Sequence, residues 1–521
     1  MLVQDQSEIV AFLSDVAAYL PLGMSGSVDR VETHISDVFL VGDRAFKLKR
    51  AVKFPYLDFS TLALRKAAAK TELRLNLRTA PALYLGLAAV VRVDEGGLAL
   101  RLGGQDEGVV EWLVVMRRFP QSALLDAMAL QGPLTVALME RAAEAVAAFH
   151  ADAQVARRYG GADGMRHAGD GVRRAFAEIA GVFESAAVSE LIGRSDAAVE
   201  RLAPLLDGRK AAGLVRHGHG DLHLRNIALI DGRPTLFDCI EFSQEIACVD
   251  VLYDLAFLLM DLWHRKLPAH ANATLNRYLE ITRDYEGLVA LPLFLASRAA
   301  IRAHVTGTIA SGTADAADAV IGESLIAEAR AYLDLGRALI DPPAPRLIAV
   351  GGLPGSGKTT IAKALAPEIL PAPGAVVLRS DVIRKSLAGV GPLDRLGPEG
   401  YTAEMTERTY AALYTSARTA LGAGHSVIAD AVNLQPGERA RLEDIARASG
   451  VAFSGLWLEA PVETLQARVA DRSGDASDAT AEIVRAVAQQ RSGDIGWAKI
   501  DAGGCPATVA EKARRAITEK T

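Results

Sequence analysis

Between Leu347 and Leu365 the chain reads LIAVGGLPGSGKTTIAKAL. An apolar run suited to a buried strand passes into a glycine-rich turn and then into a helical pattern. That order fits the strand, turn and helix of a parallel α/β sheet. The turn holds GxxxxGKT from Gly352 to Thr359. Its glycines let successive backbone N–H groups point inward around phosphate oxygens, while the lysine reaches the outer phosphates and the threonine hydroxyl ligates magnesium. Gly352, Leu353, Pro354, Gly355, Ser356, Gly357, Lys358, Thr359 and Thr360 are therefore candidate nucleotide-binding residues. Lys358 also counts as catalytic and Thr359 as a metal ligand.

The rest of the chain is organised around this unit. Just before it, DPPAPR (Asp341 to Arg346) sets three prolines among four residues after the helical stretch ESLIAEARAYLDLGRALI, which marks a boundary. Two domains are expected, residues 1–341 and 345–521. After Pro345 strands and helices alternate, as in a parallel sheet covered on both faces. Upstream, short strand-like runs (DVFLV, AFKLK, AAVVRV, EWLVVM) surround one helical pattern from Thr61 to Thr79, and the region beyond Phe119 turns helical. This implies a β-rich small lobe, about 1–117, and a helical large lobe, about 121–341. The large lobe also contains a strand pair with a two-residue turn at Asp231-Gly232.

In the C-terminal domain, LRSDVIRKSL places Asp381 at the carboxyl edge of a parallel strand, the side on which such sheets bind ligands. Asp381 is the candidate base for an acceptor hydroxyl, and Arg384, one helical turn on, a candidate for steering acceptor or phosphate. An N-capping Asp followed by a solvated Arg is the structural alternative. The strand SVIAD ends in Asp430, a candidate magnesium ligand. A later helix carries Arg468 and Arg472 before SGDASDA. These two are candidates for closing over the transferring phosphate, with surface ion pairing as the plain reading.

Upstream, the segment HGDLHLRN (His219 to Asn226) precedes the strand pair, and FDCIEF follows with Asp238. Phosphoryl transfer to a hydroxyl needs an acid beside the acceptor oxygen and oxygen ligands for magnesium, which Asp221, Asn226 and Asp238 supply at the required spacing. Asp221 and Asn226 are five apart, as in the protein-kinase loop HRDxxxxN. In AFKLKR, Lys47 and Lys49 share one face of a strand because side chains alternate with period two.

These segments resemble the aminoglycoside phosphotransferase and choline-kinase-like branch of the kinase fold, in which HGDxxxxN replaces HRDxxxxN. The resemblance implies Asp221 as the base or acceptor-orienting residue, Asn226 and Asp238 on magnesium, and Lys47 or Lys49 on the nucleotide phosphates. Lys47 is favoured, with Glu72 as its ion-pair partner. It also implies a loop-supporting role for Asp250 and Asp254. One departure is the absence of GxGxxG before the lysine strand, where THISDVFL stands. The C-terminal set resembles the P-loop kinases related to polynucleotide kinase, zeta toxins, gluconate kinase and chloramphenicol phosphotransferase. The two sets in this order resemble bacterial proteins described as bifunctional aminoglycoside phosphotransferase-like and ATP-binding. The fold class expected is a bilobal protein-kinase-like α+β domain followed by a P-loop α/β domain.

Composition narrows the function further. With 521 residues, 50% hydrophobic and 23% charged, the chain is ordinary globular material. Residues 345–521 carry 21 Lys+Arg against 20 Asp+Glu, and the remainder 36 against 43. Neither part has the clustered cations that backbone binding to nucleic acid requires. Three cysteines suit a reducing compartment. The apolar stretch LVALPLFLAS is half the length of a membrane span and holds a proline. A cytoplasmic enzyme without a membrane segment is expected. It would use ATP and Mg2+ at two sites to phosphorylate a hydroxyl of a small molecule. The alternatives are a 5'-hydroxyl nucleic-acid end kinase in the C-terminal domain, or an N-terminal pseudokinase regulating it. No code for the acceptor or the oligomeric state is legible.

Overall fold

The computed structural model describes residues 3–54, 57–93, 96–104, 106–179, 181–312, 319–471 and 476–518. The chain folds into two compact units, residues 1–171 with 199–258, and residues 172–198 with 259–521.

The first unit is built on a six-stranded antiparallel sheet. Its order is Asp29–Glu32, Ser36–Val41, Arg44–Lys49, Val109–Arg117, Tyr84–Arg92 and Leu98–Leu102. Alternating side chains give the sheet two apolar faces. Phe39, Phe46, Leu48, Leu113 and Val115 pack on Ile9, Leu13 and Tyr19 of the N-terminal segment. That segment forms the helix Ser7–Ser14 and then two 3-10 turns. Ala45, Trp112, Val114 and Met116 face the other way, with Ala69 and Leu73 of the helix Leu62–Asn76. Thr61 caps this helix by accepting from Leu64 N, which satisfies a donor the first turn leaves open. In the helical part, Ile227–Ile230 and Arg233–Leu236 form the expected hairpin, with Asp231 and Gly232 both at positive φ.

The second unit contains a five-stranded, wholly parallel sheet. Its order is Val376–Arg379, Val427–Asp430, Arg346–Gly352, Ala452–Glu459 and Ala498–Asp501. Ile348, Val350, Ile428, Leu456 and Leu458 are buried against Ile361 and Leu365 of the helix Lys358–Leu365 and Val509 and Ala513 of the helix Pro506–Thr518. The helices Pro268–Thr282, Leu291–Gly312 and Ala319–Ile340 belong to the same unit. The prolines of DPPAPR therefore end a helix and introduce a sheet strand inside one compact unit. Together the units show the mixed α+β and parallel α/β architecture.

The apolar stretch around Pro292 departs from the sequence reading. Pro292 sits in the first turn of Leu291–Gly312, where a missing N–H costs nothing, so the helix continues through it. The helical run Glu286–Ser311 is long and apolar enough to cross a membrane by length and composition, and 67% of its most apolar window is buried inside the protein. Ala296 and Ala299 lie against Gly336 of the neighbouring helix, so packing accounts for its apolar character.

Candidate active site

In the first unit the strand Arg44–Lys49 turns both lysines toward the helix Leu62–Asn76. Glu72, fully buried, takes Lys47 Nζ on Oε1 at 2.9 Å and Lys49 Nζ on Oε2 at 2.6 Å. Lys47 also reaches Asp238 Oδ1 at 2.6 Å, and Lys49 pairs with Glu241. Burial alone would strip the charge from both lysines. The carboxylates outweigh it, holding Lys47 and Lys49 above the usual lysine range. Burial and the neighbouring Glu72 push Glu241 up, despite its lysine partner. The exposures differ. The Lys49 side chain is 1% exposed and Lys47 13%, while Asp238 keeps 40%.

Asp238 has φ +63°, a conformation L-residues rarely adopt, and its neighbours enforce it. Its N–H meets Tyr84 Oη at 3.3 Å, and the next N–H, of Cys239, donates to Asn76 Oδ1 at 2.9 Å. Across the hairpin, Asn226 Nδ2 donates to Asp221 Oδ2 at 3.0 Å and to its carbonyl at 2.8 Å. His223 Nε2 lies 3.3 Å from the same carboxylate oxygen. The loop is fastened from below by Asp254, which accepts from the N–H groups of His219 at 2.7 Å and Gly220 at 2.9 Å and contacts His150 at 3.2 Å. His219 is fully buried, with Nε2 2.9 Å from Phe237 O. Asp250 pairs with Arg209 at 2.7 Å and caps Leu252 N.

In the second unit the glycine-rich turn joins Arg346–Gly352 to Lys358–Leu365. Gly352 and Gly355 have φ +141° and +85°. A Cβ at either would stand 2.6 Å from a backbone oxygen, of Leu458 or Leu465, so a side chain fits neither site. Lys358 Nζ donates to Leu353 O at 3.0 Å across the mouth of the turn. Thr359 Oγ1 donates to Asp430 Oδ2 at 2.6 Å. Ser356 is buried with an unpartnered Oγ, and Thr360 is exposed. Asp381 opens the helix Ser380–Leu387, directly after the strand Val376–Arg379. Burial and the charge of Asp430 push its carboxyl above the usual range against the pull of Lys358 and Arg379.

Of the three remaining candidate arginines, two are engaged away from the phosphate cradle. Arg384 is 8% exposed and turns into the following segment, donating to Gly400 O at 3.0 Å and Thr406 Oγ1 at 3.3 Å under the Tyr401 ring. An arginine on a short helix this close to the sheet finds carbonyls before solvent. Arg468 Nη2 lies 3.5 Å from the carbonyls of Gly503 and Gly504. Arg472 falls outside the described residues. Residues that sequence reasoning passed over also line these sites. They are Glu241, His223 and Arg379, whose Nε is 3.8 Å from Asp430 Oδ2. Each stands within a motif already singled out; His223 meets Asp221 of its own motif, but nothing local announces the distant partners of Glu241 and Arg379.

The donors are oxygens of Asn, Asp and Thr, the set magnesium prefers when phosphates complete its shell. Among the described residues no group of three or more His, Cys, Asp or Glu could hold a metal by itself. The unpartnered Ser356 hydroxyl and the two glycines without room for a Cβ make the turn a cradle for a phosphate-bearing ligand.

A profile described as "Phosphotransferase enzyme family" matches residues 36–291, and one described as "AAA domain" matches residues 347–493. Two mycobacterial proteins, "Uncharacterized protein Rv2004c" of Mycobacterium tuberculosis and "Uncharacterized protein Mb2027c" of Mycobacterium bovis, are each 32% identical to this chain over 492 residues, 92% of it and 93% of theirs. The chain belongs to the family of these mycobacterial proteins and is a kinase-type phosphotransferase. Solved structures similar to parts of it include a choline/ethanolamine kinase family protein from Mesorhizobium loti, with 15% identity, 64% of this chain, 98% of that one and TM-score 0.38. Another is a gluconokinase from Sinorhizobium meliloti, with 19% identity, 34% of this chain, 93% of that one and TM-score 0.25. The family assignment thus joins a phosphotransferase segment holding Asp221 and Asp238 to a P-loop kinase segment holding Lys358 and Asp381.

Proposed function

We propose that this phosphotransferase has two sites, each using ATP and Mg2+ to move the γ-phosphoryl group to a hydroxyl of a small molecule in the cytosol. One recurring contact carries the reading. In each unit the aspartate suited to the metal is hydrogen-bonded at 2.6 Å to a side chain suited to the nucleotide, Asp238 to Lys47 and Asp430 to Thr359. The groups that must meet on one triphosphate are thus brought together twice. Asn226 and Asp238 in one site and Thr359 and Asp430 in the other would hold magnesium, which when bound would neutralise the phosphate charges.

In the first unit Asp221, oriented by Asn226 and His223, takes the proton of the acceptor hydroxyl as its oxygen bonds to the γ-phosphorus. The bond to the bridging oxygen breaks and ADP leaves. Lys47 holds the phosphates and Lys49 braces Glu72 from beneath. In the second unit Asp381 takes the acceptor proton and Lys358 follows the developing charge. Arg384 shapes the 400–406 segment rather than touching phosphate, and Arg468 must leave two carbonyls before it reaches one. The test is phosphorylation profiling of a metabolite extract with the intact protein beside Asp221→Ala and Lys358→Ala. Each variant is expected to remove its own set of phosphorylated products. Identical product sets from all three proteins would end the two-site reading.

A further inference from the structure

The strand that leads into Asp381 is an edge strand. Val376–Arg379 pairs on one side with Val427–Asp430, in a register that sets Arg379 opposite Asp430. Its other side should present open N–H and C=O groups. Two asparagines one turn apart on the helix Pro268–Thr282 occupy that side instead.

Asn276 Oδ1 accepts from Val377 N at 2.7 Å, and Asn276 Nδ2 donates to Ala375 O at 3.1 Å. One side-chain amide thus replaces the peptide group of an absent neighbouring strand. Asn272 Nδ2 adds a second donor to Ala375 O at 3.0 Å, and its own Oδ1 lies 3.1 Å from Asn276 Nδ2. The contact is dry. Asn272 is 4% exposed, Ala375 is fully buried and Val377 is 7% exposed. It is also close. A Cβ on Gly374 would stand 2.6 Å from Asn272 Nδ2, so only glycine lets the helix approach. On the far side of Gly374, its carbonyl lies 3.0 Å from His425 Nε2.

Resting on the function proposed above, we propose that Asn272 and Asn276 are positioning residues for the P-loop site. Their amides hold the outer side of the strand as the sheet holds the inner side, and so set where Asp381 stands relative to Asp430 and Lys358. The helix that carries them lies within the phosphotransferase match, and the strand lies within the AAA match. The phosphotransferase segment therefore contributes a structural part of the P-loop site. Loss of one clamp lets the strand end shift. Misplacement of a reacting group by about 1 Å costs up to ~100-fold in rate, while nucleotide binding on a separate strand and turn is spared.

The test uses the full chain carrying Asp221→Asn, so that only the P-loop site turns over MgATP, with water as acceptor. Lys358→Ala in that background defines zero. Asn276→Ala is expected to lower kcat by about ten- to a hundredfold with KM for ATP nearly unchanged, and to speed hydrogen exchange at the Val377 amide. Asn272→Ala should do less, because Ala375 O keeps its bond from Asn276. Asn276→Asp, which turns a carboxylate oxygen toward Ala375 O, should not rescue. Unchanged kcat in Asn276→Ala overturns the inference and leaves the proposed function standing. So does a parallel loss of kcat, nucleotide affinity and melting temperature, which marks a general loss of folding. If the Asp221→Asn protein shows no turnover that Lys358→Ala removes, the inference falls, and if Lys358→Ala also leaves binding of a non-hydrolysable ATP analogue unchanged, the proposed function of this site falls with it.

Discussion

Lys47 and Lys49 sit two residues apart on one strand and share Glu72, yet their surroundings separate them. Lys49 is sealed between Glu72 and Glu241, whereas Lys47 keeps 13% of its side chain exposed beside a half-exposed Asp238. Lys49→Met should leave the buried Glu241 uncompensated and Glu72 with Lys47 as its remaining lysine, and cost about 3–5 kcal/mol of stability, read by chemical denaturation. Lys47→Met should cost less stability and more nucleotide affinity, read by calorimetry with a non-hydrolysable ATP analogue. Asp381 offers a second test. Burial and Asp430 raise its folded-state pKa, so ionisation is harder in the folded chain than in the unfolded one. The stability contributed by its neutral form is present below the unfolded value of about 4 and is lost as pH rises through the folded value. Asp381→Asn should therefore melt higher than the parent near neutral pH, with the gap closing toward pH 4, while phosphoryl transfer at this site stops. A melting difference that stays constant from pH 4 to pH 8 would refute this.

The glycine-rich turn shows how an element imposes residue types. Gly355 combines positive φ with a Cβ position 2.6 Å from Leu465 O, whereas Gly357, also at positive φ, has open space around it. Gly355→Ala must displace the helix Val462–Ala470 or distort the turn. Gly357→Ala carries only the backbone strain, of order 1–2 kcal/mol. Nucleotide affinity should fall much further in the first variant than in the second, measured by calorimetry at matched folding. The same logic acts at longer range around Asp238, just after the hairpin. The strained Asp238 is held by Tyr84 and, through the next amide, by Asn76. Tyr84→Phe should thus weaken magnesium-dependent nucleotide binding without touching ligand.

At the scale of the whole molecule, the helices Pro268–Thr282, Leu291–Gly312 and Ala319–Ile340 fold in the same unit as the parallel sheet. A fragment beginning at residue 345 loses the asparagines on its edge strand and exposes Ala375 O and Val377 N to solvent or to another chain. It should melt lower than the intact protein and self-associate, as light scattering during a thermal ramp would show. Equal melting and a monodisperse fragment would mean that the sheet closes its own edge.

The sequence by itself determined the local chemistry. The strand, turn and helix around Lys358, the spacing of Asp221, Asn226 and Asp238, and the Asp231-Gly232 hairpin turn are short-range patterns, legible because dihedral preference and side-chain period act over a few residues. Glu72 could be paired with a lysine only by resemblance. Tertiary structure alone decided that Glu241 would neutralise Lys49 from 192 residues away, and that Asn276 would reach Val377 across 101. It also decided that Arg384 would be drawn into the 400–406 segment. These partners meet only once the sheets and helices have packed, and no local periodicity records which distant side chain packing will bring within 3 Å.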